Sequence, residues 1–185
     1  MQIGALALAR SGKTARMKVL ANVAEIWVFS RTADGPRYLI LEASQEKADA
    51  FFGGHRFWQI PGTSIADDDE LTVDTLRRGL RDYGLRADSL WAVEHVSTIF
   101  NRRFDAIQIV PAFAAEVQGL PEPTLTVPPG SSLAPTIRVE YGGYEWVDAG
   151  RVEELMTFRA LVEGFAALRR YISECAEPRE EFRLA

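Results

Sequence analysis

The chain has 185 residues, a net charge of -5 and an ordinary mix of apolar (47%) and charged (25%) residues, which suits one soluble globular domain with a full core. The acidic balance argues against a general nucleic-acid binder, and no apolar run reaches the about eighteen residues that a bilayer span requires. The single Cys175 permits no internal disulfide and suits a reducing cytoplasm, the expected location.

Residues 1–19 read as a mobile leader. The apolar GALALA at 4–9 precedes Arg10, the reverse of the order a signal peptide needs. The tract SGKT at 11–14 lacks the glycine that a phosphate loop places at position 7, where Ala7 stands. The folded domain is expected over 20–176. VAEIWVFSRT at 23–32 and RYLILEAS at 37–44 are rich in strand formers, and Asp34-Gly35-Pro36 joins them as a hairpin. Residues 45–56 are polar with Gly53-Gly54 and read as a loop at the rim of a site.

Residues 57–85, FWQIPGTSIADDDELTVDTLRRGLRDYGL, organise the rest. A short aromatic strand at 57–60 is ended by Pro61-Gly62, and an acidic run at 67–70 then leads into one amphipathic helix. Leu71, Leu76, Leu80 and Leu85, with Val73 and Tyr83, recur at helical spacing and form the buried face. Carboxylates before the helix suit its free N–H groups and dipole, and Gly84 supplies a left-handed cap at its end. Arg77, Arg78, Arg81 and Asp82 project as a charged patch beside the tight turn.

Further on, 90–99 and 104–117 form a second long hairpin around a polar NRR. Residues 119–136 hold five prolines and read as an exposed loop. IRVEYGGYEWV at 137–147 returns to strand, and Asp148-Ala149-Gly150 opens C-terminal helices. Leu155, Phe158, Leu161, Val162, Phe165, Leu168 and Ile172 stripe these helices. The charged tail at 177–185 is expected to fray.

The layout from Gly62 to Leu85 resembles a Nudix box. Asp69 falls on the box's isolated Glu, Arg77 on its Arg, Arg78 and Arg81 on two of its clustered glutamates, Gly79 on an aliphatic position and Asp82 on the last Glu. Gly62 lies one residue early for the leading glycine. EYGGYEWV at 140–147 is similar to a segment of the dihydroneopterin triphosphate pyrophosphatase subgroup, and FWQIPGT at 57–63 to the strand and turn before the box. The resemblance covers about residues 20–175. It implies an α/β (α+β) fold, a Nudix-like α/β/α sandwich with a mixed β-sheet.

The resemblance further implies Mg2+ or Mn2+ held by Asp69, Asp82 and Glu140, which would also be the catalytic residues for cleavage of a diphosphate linkage. Hard cations want several carboxylate oxygens, and here two guanidiniums stand where two glutamates belong, unable to ligate a metal. They can instead meet phosphates directly by bidentate hydrogen bonds. Two functions follow: a metal-dependent pyrophosphohydrolase of nucleotide-like diphosphates with altered activity, or a non-catalytic nucleotide sensor or protein-interaction module. Either takes a nucleotide or pterin-like phosphate ligand, with Arg77, Arg78, Arg81 and Phe57 as substrate contacts; a homodimer stays open. Arg77 has Asp82 or Asp69 as candidate partners, and His55, Glu94 and His95 are weaker candidates on a loop and strand expected near the site. Phe51 and Phe52 join Phe57 as rings on which a base could stack.

Overall fold

The computed structural model describes residues 17–65, 71–101, 104–127 and 135–185. Among these residues eight strands form one mixed sheet: β1 (Lys18–Leu20), β2 (Val23–Thr32), β3 (Gly35–Ala43), β4 (Trp58–Gln59), β5 (Gly62–Ser64), β6 (Ser89–Asn101), β7 (Ala106–Glu116) and β8 (Tyr141–Val147). Four α-helices accompany them: α1 (Gln45–Phe51), α2 (Thr72–Asp82), α3 (Ala149–Leu155) and α4 (Arg159–Leu168). Across the sheet the order is β6, β7, β2, β3, β8, with β1 beside β7, β5 beside β2 and β4 beside β3. β7 runs parallel to β1 and β2, and the remaining pairings are antiparallel.

β2 is central because both of its faces are apolar. Ala24, Ile26 and Val28 join Leu76, Leu80 and Leu85 in the core under α2. Trp27 and Phe29 join Leu161, Phe165 and Leu168 in the core under α4. A strand covered on both sides reads as a continuous hydrophobic run rather than an alternation. α2 and α4 therefore sandwich the sheet, as expected.

Both hairpins form where the alternation placed them, β2–β3 through a turn with Gly35 at φ +102° and β6–β7 beyond Asn101. Other expectations need correction. Residues 45–51 are not loop: Ser44 accepts the N–H of Lys47 and starts α1. Within the expected leader, Lys18–Leu20 pairs with β7 as a strand. The strand expected from Ile137 begins at Tyr141: before it, the N–H groups of Arg138 and Val139 go to Glu46 of α1, and Val139 makes only an isolated bridge with Thr126. Leu71 is exposed and caps α2 with no side-chain hydrogen bond. The acidic run at 67–70 lies outside the described residues.

The two irregular stretches are also pinned. Thr124 N–H donates to the Tyr83 carbonyl, Tyr141 N–H to the Leu125 carbonyl, and Trp146 Nε1 to the Pro121 carbonyl. The start of the proline-rich loop thus covers the end of α2. The charged tail is not frayed: Leu184 N–H donates to the Leu90 carbonyl at 2.7 Å and Leu90 N–H to the Ala185 carbonyl at 2.8 Å, so the C-terminus extends the sheet beside β6.

Candidate functional site

Over the turn from β4 to β5, a chain of contacts links the end of α2 to α1 through Tyr83, Tyr141 and Lys47. α2 presses hard against that turn. A Cβ on Gly79 would stand 2.5 Å from the Thr63 Cβ, closer than atoms can approach, so the position that the box pattern gives to an aliphatic residue must here be glycine. Gly84, at φ +69°, then reverses the chain in the left-handed conformation that glycine adopts freely.

Between these two glycines the end of the helix delivers Tyr83 into the buried core. Its hydroxyl accepts from the Gly62 N–H at 3.2 Å, donates to the Gly62 carbonyl at 3.1 Å and meets the Tyr141 hydroxyl at 3.0 Å. One phenol thereby fixes the turn at Pro61-Gly62 to the end of α2. Burial pushes the Tyr83 hydroxyl up to about 12, with the Glu140 charge adding to the shift. Burial likewise raises Tyr141 well above the usual range. Both phenols are therefore hydrogen-bonding groups at neutral pH and not bases.

Beyond Tyr141 the network ends in an ion pair. Lys47 of α1 sets its Nζ 2.6 Å from Glu140 Oε1 and 4.8 Å from the centre of the Tyr141 ring. Both side chains are nearly closed to solvent, at 10% and 12% exposure. Burial lowers the Lys47 ammonium and the Glu140 carboxylate opposes that shift. The backbone holds the two together: Ser44 N–H donates to the Glu140 carbonyl, Ser44 Oγ donates to the Val139 carbonyl, and Glu46 accepts the N–H groups of Arg138 and Val139. α1 is thus a clamp on the segment carrying Glu140.

The remaining expected residues divide clearly. Arg78 is half-buried and donates to the Ser64 carbonyl at 2.7 Å, which anchors its guanidinium at the junction of α2 and β5. Arg77, Arg81 and Asp82 are exposed on the same helix. No ion pair joins Arg77 to Asp82 among the described residues, and Asp69 lies outside them. Phe57 is buried, with its ring centre 4.3 Å from that of Phe52 and 5.1 Å from that of Phe158. The exposed rings of that cluster are Phe52 and Phe158, so Phe57 is its floor rather than its surface. Phe51 is half-buried on α1. His95 packs on Gly164 of α4, on the sheet face away from α2, and leaves the site. Glu94 and His55 are exposed.

Solved structures with this architecture are well represented. A NUDIX hydrolase from Listeria monocytogenes superposes with a TM-score of 0.59 at 15% identity over 80% of this chain and 92% of its own. The NUDIX domain of Shewanella oneidensis NrtR, complexed with ADP ribose, gives 0.57 at 15% identity over 88% and 94%. The E. coli dihydroneopterin triphosphate pyrophosphohydrolase gives 0.52 at 11% identity over 84% and 99%. The chain has the Nudix fold. No protein-family model and no curated protein matches the sequence.

Nudix folds lead one to expect a divalent ion on the box helix. The described residues do not fit one: the Glu140 carboxylate already holds an ammonium at 2.6 Å, two box positions are guanidiniums, and no group of three His, Cys, Asp or Glu side chains converges among the described residues. Lys47, Tyr83 and Tyr141 are the site residues that sequence reasoning missed or read only as packing. Lys47 stands 93 residues from its partner, and no local pattern announces such a pair.

Proposed function

We propose that this Nudix-fold chain binds a nucleotide-like or pterin-like diphosphate compound in the cleft between α2 and α1, and that it does so without a divalent ion. The observation that carries this reading is the Lys47–Glu140 pair. A carboxylate retained for a metal would keep its oxygens open to the cleft, and this one is satisfied by an internal cation. Positive charge on the box helix then faces the ligand as guanidinium, with Arg78 and Arg81 as the phosphate contacts. Phe52 and Phe158 offer ring surface for a base or pterin. The ADP ribose held by the Shewanella NUDIX domain belongs to the ligand class in question.

The test is a product assay by mass spectrometry, with a panel of nucleoside diphosphate derivatives and dihydroneopterin triphosphate, in Mg2+, Mn2+ or chelator, alongside thermal melting of the protein. The expected result is no cleavage and a metal-independent rise in melting temperature with one of these compounds, lost in Arg78→Glu. Metal-dependent cleavage that Asp82→Ala abolishes would overturn the reading and restore Asp69, Asp82 and Glu140 as metal ligands.

A further inference from the structure

Trp27 is fully buried in the core under α4, yet its indole N–H has no hydrogen-bond partner among the described residues. Other buried or half-buried polar side chains of this chain find partners within the protein. Trp91 Nε1 donates to Ser89 Oγ at 2.9 Å, Trp146 Nε1 to the Pro121 carbonyl at 3.0 Å, and the Tyr38 hydroxyl meets Ser173 Oγ at 2.8 Å. A buried donor left unpaired has given up its hydration for nothing, so native folds rarely keep one without a reason.

A second unpaired nitrogen stands beside it. His95 Nε2 is also buried without a partner among the described residues, and both rings meet at Gly164 of α4. A Cβ on Gly164 would stand 3.0 Å from His95 Cδ2 and 3.5 Å from Trp27 Nε1. Two departures from regular structure bring the rings together. Ala92 pairs with Phe113 and Val96 with Pro111, so four steps along β6 match two along β7, and His95 lies within that irregularity. Bulges of this kind re-aim side chains. Gly164 lies inside α4, where alanine would serve the helix better, and its bare Cα leaves room for both rings.

We propose that one water molecule binds between Trp27 Nε1 and His95 Nε2 beside Gly164, accepting from the indole N–H and donating to the imidazole, whose own proton is on Nδ1. The kind of ligand follows from the two nitrogens and their surroundings. An indole nitrogen can only donate, which excludes a cation as the shared partner. An anion would accept from the indole but leave a neutral Nε2 without a donor. The core there, with Val93, Ala112, Leu161 and Phe165, is apolar, which makes any ion costly. Water accepts and donates at once, and two polar partners are the fewest that hold it in an interior. Bound there, it joins β2 to β6 by hydrogen bonds on the face that α4 covers.

A crystal structure of the full chain at a resolution that shows ordered water tests this, with nuclear Overhauser contacts to water as the solution counterpart. The expected result is a density peak within about 3.2 Å of both nitrogens. Crystals soaked in bromide should give no anomalous signal at that peak. In solution the Trp27 indole proton, assigned by its loss in Trp27→Phe, should show a cross-peak to water that His95→Phe removes without changing the circular dichroism. A direct hydrogen bond between Trp27 and His95, a wild-type map with no peak at the pair, or bromide in its place would each overturn the proposal. So would a water cross-peak that His95→Phe leaves unchanged.

Discussion

Two glutamates are shielded from water on opposite sides of the sheet, Glu140 buried and Glu25 half-buried, and the fold accommodates them by different means. Glu140, beside α2, has an ammonium at 2.6 Å and a backbone clamp from α1. Glu25 of β2 alternates with Ala24 and Ile26 and so faces the α4 side, where burial alone raises its carboxyl from 4.5 to about 7. One carboxylate is paired with an ammonium from α1, and the other has its pKa raised by burial alone. A carboxyl shielded only by apolar neighbours needs nothing else, whereas matching Glu140 requires α1, its Ser44 cap and the hydrogen bonds to 138–140, all beside the end of α2.

Removing the ammonium should have the largest effect. Lys47→Met leaves Glu140 buried without its partner, and losing one half of such a pair costs about 3–5 kcal/mol. Urea unfolding should show a loss of that order, and Lys47→Met combined with Glu140→Leu should recover most of it. A single variant as stable as wild type would mean that the pair is not a buried one. The next largest effect belongs to Glu25. Between pH 4.5 and 7 the native chain holds a proton that the unfolded chain has released, so stability from this group is full below 4.5 and is lost as pH rises through about 7. A shift from 4.5 to about 7 corresponds to about 3 kcal/mol. Glu25→Gln should therefore gain on wild type by about that amount between pH 4.5 and 8, measured as the difference between the two unfolding curves. Equal pH dependence in both proteins would place the carboxyl in water. The smallest effect concerns the packing that holds the α2 side rigid: Gly79→Ala forces a methyl onto Thr63 and should cost roughly 1–3 kcal/mol, despite the better helix propensity of alanine. A neutral result would show that α2 can move away from β5.

Much of this frame is readable from the chain, and the parts that are not have physical reasons. α2 announces itself because Leu76, Leu80 and Leu85 repeat on one face and Gly84 ends it; β2–β3 and β6–β7 do so through strand formers around turn residues. Leu71 fails the same rule because it is the cap residue before the first helical turn, where the stripe no longer points at the core. α1 escapes notice since QEKADAF is only seven residues and mostly polar, although Ser44 before it and Gly53-Gly54 after it are the usual cap signals. The docked tail is hidden for another reason. Leu184 and Ala185 bind Leu90 through backbone atoms, which carry no trace in side-chain pattern. The site was half legible: the guanidiniums on α2 stand in the sequence, but the cation that answers Glu140 comes from a helix 93 residues away.

Whether the protein binds an anionic ligand with its own cations is settled by isothermal titration of ADP ribose into the protein in excess chelator. The expected result is saturable binding that added Mg2+ does not tighten and that Arg78→Glu with Arg81→Glu removes. Binding that appears only when Mg2+ or Mn2+ is supplied, and survives that double change, would contradict it.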